Sequence, residues 1–290
     1  MSLANRIALG LLPWIDDEIF TKIQYLYKQR RWLNLDLPQT FNEKIQWLKL
    51  RHHDPRLTNL VDKYAVRDFV HERIGEEYLI PLVGVYEHAD DIPFDQLPAR
   101  FVIKATHGSG WTLLCFDRNH YDWEQAKKRI AHWLSSNFFR VGREWAYRDV
   151  PPRVVCEEMI DDGSGQPPPD YKIFCFHGEP RLIQVDLNRF SGHRRNLYDT
   201  QWNLLPTEFE YPVGDPELAA PPNLGKMLNV AKLLSASFPF VRVDLYSTPR
   251  GVYFGEMTFF PEKGVGRFRP YRFDEEFGRH LDLGCCQKSR

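Results

Sequence analysis

The sequence predicts an α+β fold of packed lobes with antiparallel sheets. Residues up to about 75 space their apolar side chains as helices do, whereas strand-like runs dominate from Phe101 onward. Most of these runs are joined by short turns, which connect antiparallel neighbours. The chain therefore indicates a helical N-terminal region followed by hairpin-linked strands.

The helical region contains residues typical of a helix N-terminus, two apolar stripes and a residue typical of a helix C-terminus. Residues 40–43 fit a capping box, and Gly75 is the expected end of the last helix. Two apolar stripes at helical spacing are formed by Phe41, Ile45 and Leu48 and by Leu57, Leu60, Val61 and Tyr64. The apolar residues 7–14 are too few to cross a membrane, and we expect them to form a packed helix.

The strand-like runs fall into two groups, separated by the Gly- and Pro-rich residues 161–169. The first group contains residues 78–86, 101–105, 111–116 and 154–160, with a one-sided helix between residues 123 and 134; Pro81 favours an edge position for the first run. The second group contains a hairpin of residues 171–177 and 181–187, a helix over residues 224–234 and a final hairpin. We predict an N-terminal region over residues 1–98 and a domain over 99–284, with lobes at about 99–160 and 170–284.

Composition excludes several functional classes. The 290 residues carry 38 basic and 39 acidic side chains, so no overall field favours nucleic acid. Apolar residues make up 43%, yet no run approaches the roughly 20 residues that span a bilayer. The five cysteines follow neither a disulfide nor a zinc spacing. This profile favours a globular protein in a reducing cytoplasm.

The final hairpin carries an acidic pair. Asp244 lies in the run 240–246 and Glu256 in the run 252–260, with a turn between them. Because side chains alternate faces along a strand, a suitable register brings the two carboxylates together, and Mg²⁺ would then relieve their repulsion. Neutralising either acid is accordingly expected to leave the fold intact. Two solvated surface acids are the alternative.

Lysines lie inside two apolar runs. Lys104 precedes a turn containing Gly108 and Gly110, whose backbone can approach a phosphate closely, and Lys172 lies in the run 170–174. The spacing of a Walker A loop is missing, and a plain hairpin turn with a snorkelling lysine remains open. Both lysines are candidates for holding phosphate.

Two further segments are candidates for ligand contacts. Residues 156–160 end a strand in two acids and apolar residues, a combination that suits an adenine ring, although solvated glutamates fit equally well. A basic segment could bind carboxylate or phosphate, or be a solvated loop; it comprises Arg189, His193, Arg194 and Arg195.

Taken in order, these pieces resemble the ATP-grasp superfamily of ligases, and in particular its TupA-like branch. That branch is known as amidoligases linked to cell-surface polysaccharide and teichuronopeptide biosynthesis. The similar runs are residues 40–44, 62–67, 102–110, 170–174 and 255–261, and the resemblance covers about residues 38–280. Each run alone is weak evidence for the family, and the order of the runs over that length is specific for it.

The resemblance implies an ATP-grasp fold whose two lobes clasp ATP, with a helical N-terminal region. Lys104 and Lys172 would hold phosphates and Asp170 would lie near the ribose, while Asp244 and Glu256 would hold Mg²⁺. The implied nucleotide contacts also include the loop His107, Gly108, Ser109 and Gly110 and the adenine-side residues Glu157, Glu158, Met159 and Ile160. Thr258 completes the implied metal site where many ATP-grasp ligases carry asparagine, which puts a second Mg²⁺ in doubt.

The predicted function is an ATP-dependent carboxylate–amine ligase that works through an acyl-phosphate. Lys104, Lys172, Arg194 and Arg195 are its predicted catalytic residues, with a uronic acid or an amino acid as the acid substrate and an amine as the acceptor. Peripheral association with envelope-assembly enzymes is a further expectation. The alternatives are a glycosyltransferase or phosphotransferase of polysaccharide assembly and an inactive nucleotide-binding subunit.

Overall fold

The computed structural model describes residues 15–187 and 192–286. Residues 7–14, expected to form a packed helix, and the candidate Arg189 lie outside this part of the chain. The helices are α1 Asp17–Gln29, α2 Phe41–Arg51, α3 Leu57–Val61, α4 Val66–Ile74, α5 Trp123–Leu134, α6 Phe139–Gly142, α7 Leu224–Ser235 and α8 Arg272–Arg279. The strands are β1 Leu82–Tyr86, β2 Phe101–Ala105, β3 Thr112–Cys115, β4 Val154–Glu158, β5 Asp170–Phe176, β6 Glu179–Leu187, β7 Arg194–Tyr198, β8 Glu208–Phe209, β9 Phe240–Thr248, β10 Gly251–Thr258 and β11 Phe268–Arg269.

The first sheet is antiparallel, with the strand order β1-β4-β2-β3. β1 lies at its edge, as the proline before it predicts. Helix α5 covers one face, where Ile130 and Trp133 join Ile103 and Cys156 in a common core. This sheet includes residues on both sides of the boundary predicted at residue 98, because β1 pairs with β4.

The second sheet is also antiparallel, with the order β10-β9-β5-β6-β7. Both hairpins predicted from the sequence, β5 with β6 and β9 with β10, are confirmed. Helix α7 packs on this sheet through the buried residues Met227, Val230 and Leu234. The α+β fold with antiparallel sheets is therefore the observed one.

The N-terminal helices belong to the core of the second sheet. Helix α2 begins with the predicted capping box, in which the Thr40 side chain accepts from the Glu43 backbone while the Glu43 carboxylate accepts from that of Thr40. The ring of Phe41 then contacts Phe174 on β5 and Phe240 on β9, with centroids 6.0 and 5.2 Å apart. The helices are thus held against β5 and β9 by an aromatic cluster.

Residues 161–169 connect the last strand of the first sheet to the first strand of the second. Cys115, Cys156 and Cys175 are buried free thiols, as their apolar runs predict. In the described ranges no helix has the length and hydropathy that a membrane crossing needs.

Candidate active site

A cleft with a cavity volume of about 370 Å³ is lined by side chains from both sheets. It brings together half of the candidate residues that the sequence singles out. These are Lys104, Ser109, Gly110, Asp170, Lys172, Arg195, Asp244, Glu256 and Thr258.

The acidic pair lies side by side on one face of the second sheet. Asp244 is paired with Glu256 across the hairpin, and the register shifts by one residue between Phe254 and Glu256. This bulge is located at Gly255, where an added Cβ would approach the carbonyl oxygen of Asp244 to 3.0 Å. Glycine therefore permits the bulge that sets Glu256 directly beside Asp244.

The same face continues across the sheet as a polar row. Lys172 on β5 is paired with Asp244 on β9, and Gln184 on β6 is paired with Lys172. Since directly opposed residues share a face, Glu256, Asp244, Lys172 and Gln184 form one row that lines the cleft.

Arg242, two residues before Asp244, lies on the same face and holds the acids together. Its Nε and Nη2 donate to the two carboxylate oxygens of Asp244 at 2.6 and 2.7 Å. Its Nη2 also donates to Glu256 Oε1 at 3.2 Å and to Thr258 Oγ1 at 3.0 Å. The repulsion expected between the two carboxylates is therefore already offset by an arginine.

The two carboxylates respond differently to this environment. Burial raises the pKa of Asp244 to about 7, although Arg242 and Lys172 oppose the rise. Burial acts in the same direction on Glu256, but Lys63, Arg242 and Lys172 outweigh it and lower its pKa to about 2. Glu256 is accordingly an ionised carboxylate at neutral pH.

Lys172 is buried and surrounded by acids. It forms an ion pair with Asp170, and its Nζ lies 3.5 Å from Asp244 Oδ2 and 3.8 Å from Asp186 Oδ2. Burial alone would lower its pKa, but Asp170 and Asp244 raise it above the usual range. The lysine is therefore charged and sits beside the acidic pair.

The first sheet contributes a smaller cluster around Glu157. Lys104 Nζ lies 2.7 Å from Glu157 Oε2, and Arg67 Nη1 lies 3.2 Å from Glu157 Oε1. Glu158 ends β4 and is exposed, and Met159 and Ile160 follow it. Among the described residues the cleft is lined by Lys104 but not by Glu157 or the three residues after it.

The glycine-containing turn after Lys104 is held from two sides. Lys63 Nζ donates to the carbonyl oxygen of Gly108 at 2.6 Å and lies 3.6 Å from Glu256 Oε2, so one lysine ties this turn to the acidic pair. Gly110 has a φ of 76°, which favours glycine. The ring of His107 is buried and hydrogen-bonded through Nε2 to the Trp133 carbonyl oxygen at 2.8 Å, so its side chain supports the turn rather than lining the cleft.

The two predicted arginines on β7 have different surroundings. Arg194 is exposed, whereas Arg195 is buried, with Nε 2.6 Å from Asp186 Oδ1 and Nη1 2.8 Å from Glu262 Oε1. His193 and Gln184 also contact Asp186, at 3.1 Å each. Only Arg195 of the two lines the cleft in the described structure.

Several cleft residues are missed by the sequence interpretation. They are Lys63, Glu144, Tyr147, Gln184, Asp186, Arg242, Glu262 and Lys263. Strand alternation could have found three of them, because residues two apart on a strand share a face. Arg242 is two residues before Asp244 on β9. Asp186 is two residues after Gln184, which is paired with Lys172. Lys63 lies in the run 62–67, which carries the family resemblance without a role attached to it.

The donor set beside Arg242 suits a hard cation. Asp244, Glu256 and Thr258 offer oxygen atoms only, the ligand type that Mg²⁺ prefers. No group of three or more His, Cys, Asp or Glu side chains that could hold a metal occurs in residues 15–187 and 192–286. Mg²⁺ commonly uses one or two carboxylates and completes its shell with water and substrate phosphates, so the residues fit this ion.

Two antiparallel sheets that share a cleft of lysines and an acidic hairpin define an ATP-grasp arrangement, the class that the sequence resembles. A family model described as TupA-like ATPgrasp matches residues 43–282. The chain therefore belongs to the TupA-like ATP-grasp family and is an ATP-grasp ligase. Both the resemblance and the fold class predicted from the sequence are confirmed.

The chain is also similar to solved structures, one of which is described as an ATP-grasp ligase. D-alanine–D-alanine ligase from Bacillus anthracis is 13% identical with a TM-score of 0.48, over 81% of this chain and 71% of that one. The D-cycloserine synthetase DcsG is 17% identical with a TM-score of 0.42, over 79% and 72% of the two chains. The ATP-grasp ligase PsnB is 10% identical with a TM-score of 0.39, over 80% of this chain and 58% of that one. No curated protein has a significant sequence match.

Proposed function

We propose that the protein joins a carboxylic acid to an amine, forming an amide through an acyl-phosphate while ATP is converted to ADP and phosphate. One observation carries this proposal. The row Glu256–Asp244–Lys172, of which Asp244 and Lys172 are buried, lines the same cleft as Lys104 from the other sheet, with Arg242 beside it. Cations and metal-ligating acids that meet in one cleft are what phosphoryl transfer from ATP requires.

ATP lies between the two sheets, which act as the two lobes of the domain. The adenine ring rests near the end of β4, where Glu157 accepts from its amino group and the backbone of Met159 and Ile160 flanks it. Asp170 lies near the ribose. Lys104, Lys172 and the turn of Gly108, Ser109 and Gly110 hold the phosphates.

The reaction needs no protein nucleophile. An oxygen of the substrate carboxylate attacks the γ-phosphorus, the bond to the β,γ-bridging oxygen breaks, and ADP leaves. The amine nitrogen then attacks the acyl carbon, and phosphate leaves with the electron pair of the broken carbon–oxygen bond. Lys172 and Arg242 supply positive charge next to the transferring group, and closure of the cleft excludes water that would hydrolyse the acyl-phosphate.

Asp244 and Glu256, with Thr258, would hold Mg²⁺. When bound, this ion neutralises charge on the phosphates. The low pKa of Glu256 keeps one ligand ionised, while Arg242 orients both carboxylates.

The acid substrate is a uronic acid or an amino acid, and the amide modifies a cell-surface polysaccharide. This assignment extends the family membership. Arg195 is the candidate group for binding the substrate carboxylate, because it lines the cleft beside Asp186 and Glu262, whereas in the described structure the exposed Arg194 does not line it. The protein would work in the cytoplasm, beside enzymes of envelope assembly.

Nucleotide preference tests the class of reaction. We expect ATP with Mg²⁺ to raise the melting temperature by a few degrees at 100 times the dissociation constant, where binding contributes about 2.7 kcal/mol. A panel of uronic acids and amino acids, each combined with amines, should then contain an acid that stimulates phosphate release. Stabilisation by a UDP-sugar and not by ATP would instead indicate a glycosyltransferase. Binding of ATP without turnover of any pair would indicate an inactive nucleotide-binding subunit.

A further inference from the structure

One carboxylate of the cleft differs from all the others that line it. Glu144 lies between α6 and the 3-10 turn Trp145–Tyr147 and is 5% exposed. It lines the cleft, yet within the described ranges no cation is within 4.0 Å of its carboxylate and no group donates a hydrogen bond to it. The other cleft acids are paired with cations, namely Asp170, Asp186, Asp244, Glu256 and Glu262.

The groups nearest to Glu144 do not replace a partner. Lys49 on α2 is buried and donates to the carbonyl oxygens of Gly142 at 2.9 Å and Lys263 at 3.4 Å. Lys263, from the turn Pro261–Gly264, acts on Glu144 only through space, as does Arg242 on β9. A buried carboxylate without a direct partner is costly, which points to a cation brought by a ligand.

The charges that face Glu144 also set its basicity. Burial raises its pKa to about 7, Lys49 and Lys263 oppose this rise, and Glu256 on β10 adds to it. Tyr147 in the adjoining turn is the other titratable group of the same segment, and burial raises its pKa well above the usual range, so it stays neutral. Near neutral pH, Glu144 is therefore a better proton acceptor than an ordinary carboxylate.

We propose that Glu144 binds the ammonium group of the amine substrate and takes up its proton before the amine attacks. This inference rests on the proposed ligase function and names the subsite of its second substrate. An anionic occupant is disfavoured, because both the acyl-phosphate and a free carboxylate would be repelled by Glu144. A primary ammonium group, by contrast, offers both the positive charge and the hydrogen-bond donors that the carboxylate lacks.

The ammonium group loses two protons on its way to the amide. A protonated amine has no free electron pair, so one proton passes from nitrogen to the Glu144 carboxylate. The free electron pair forms the carbon–nitrogen bond, and the carbon–oxygen bond to phosphate breaks. The second proton lost by nitrogen leaves on the departing phosphate, and Glu144 returns its proton to solvent. Glu144 would thus act as a general base.

Hydroxylamine separates this step from the formation of the acyl-phosphate. It is largely uncharged at neutral pH and traps acyl-phosphates as hydroxamates, so it needs no base. With the acid that stimulates ADP release, we expect Glu144→Gln to retain hydroxamate formation within about threefold. Amide formation from amines that are protonated at pH 7, with glycine, ethanolamine and lysine as probes, should fall on the order of 100-fold. The deficit should shrink as pH approaches the pKa of the amine, whereas the wild-type rate should rise with pH through about 7.

Glu72→Gln provides the matched control, since Glu72 is an exposed glutamate on α4. It should leave both activities and the melting temperature unchanged. Equal loss of hydroxamate and amide in a folded Glu144→Gln protein would overturn the inference, and so would retention of both. A wild-type protein that forms neither ADP nor hydroxamate with any acid would overturn the ligase function itself, and the amine site with it.

Discussion

The two sheets present charges to the same cleft in different ways. On the first sheet, Glu157 is paired with Lys104 and Arg67, and these cations keep 14% and 16% of their side chains exposed. On the second sheet, five charged side chains are more deeply buried and most contact two or more partners; they are Lys172, Asp186, Arg195, Arg242 and Asp244. Asp170 and Glu256, at the same cleft, keep 15% and 25% of their side chains exposed. The first cluster is small and partly exposed, whereas the second is a buried and interdependent network.

This difference matters because the cost of an unpaired charge grows with burial. A cation that keeps contact with water loses little when its partner is removed. A cation inside a buried network has no water to replace the lost partner, and several neighbours are affected at once. The second sheet should therefore be far more sensitive to single substitutions than the first.

The largest effect that we expect is the difference in stability between the variants Asp244→Asn and Glu157→Gln. Asp244→Asn relieves the burial cost that raises the pKa of Asp244, but it leaves the buried Arg242 with only Glu256 and Thr258. We expect the loss at Arg242 to outweigh the relief, with a net loss of about 3–5 kcal/mol in the free energy of unfolding. Glu157→Gln leaves two partly exposed cations and should cost about 1–2 kcal/mol. Urea denaturation of the two variants measures the difference. Equal losses would contradict the distinction between a partly exposed cluster and a buried network.

This expectation reverses the one that the sequence alone provides. Two neighbouring acids without an arginine would repel each other, so an amide would be harmless. Arg242 turns the expected gain in stability into a loss, because the carboxylate of Asp244 is its main partner. For turnover both views agree: we expect Asp244→Asn and Glu256→Gln to abolish Mg²⁺-dependent ATP consumption, measured below the melting temperature of each variant.

The sequence predicts those site residues whose role shows in the residues next to them in the chain. Lys104, Lys172 and the acidic hairpin are found because a charge inside an apolar strand run is visible along the chain. Strand alternation also places Arg242 beside Asp244, but an interpretation centred on a metal gives no reason to look for an arginine there. The two hairpins are also predictable, because the turn that joins each pair of strands is a local pattern in the sequence.

Other features depend on contacts that no local pattern encodes. Lys63 reaches both the glycine-containing turn and Glu256 from the helical region, and Glu144 enters the cleft from the short segment after α6. The packing of Phe41 on β5 and β9, which joins the N-terminal helices to the second sheet, is equally nonlocal. Periodicity predicts the helix and its buried stripe, but not the surface on which the stripe packs.

We expect an intermediate difference in stability between two variants of β7, Arg195→Ala and Arg194→Ala. Removing Arg195 takes away its contacts with the buried Asp186 at 2.6 Å and with Glu262 at 2.8 Å, so the protein should lose about 3 kcal/mol of stability. Arg194 is exposed, and its replacement should change stability by less than about 0.5 kcal/mol. Denaturant titration distinguishes them. Arg194→Ala should also leave the KM for the acid and the KM for ATP within about twofold, and a rise in either would place this arginine at the corresponding substrate.

The smallest effect is expected at the end of the first sheet, where Glu157 and Glu158 are adjacent but point to different environments. Glu157 is buried against Lys104, whereas Glu158 is exposed. If the backbone of Met159 and Ile160 contacts the adenine, Glu158→Gln should leave the dissociation constant for ATP within twofold. Glu157→Gln removes the partner of Lys104 and the proposed acceptor of the adenine amino group, so it should weaken ATP binding about tenfold, or about 1.4 kcal/mol. Calorimetric titration with ATP and Mg²⁺ measures both constants. A tenfold loss in Glu158→Gln would show that the exposed carboxylate, rather than the strand backbone, contacts the nucleotide.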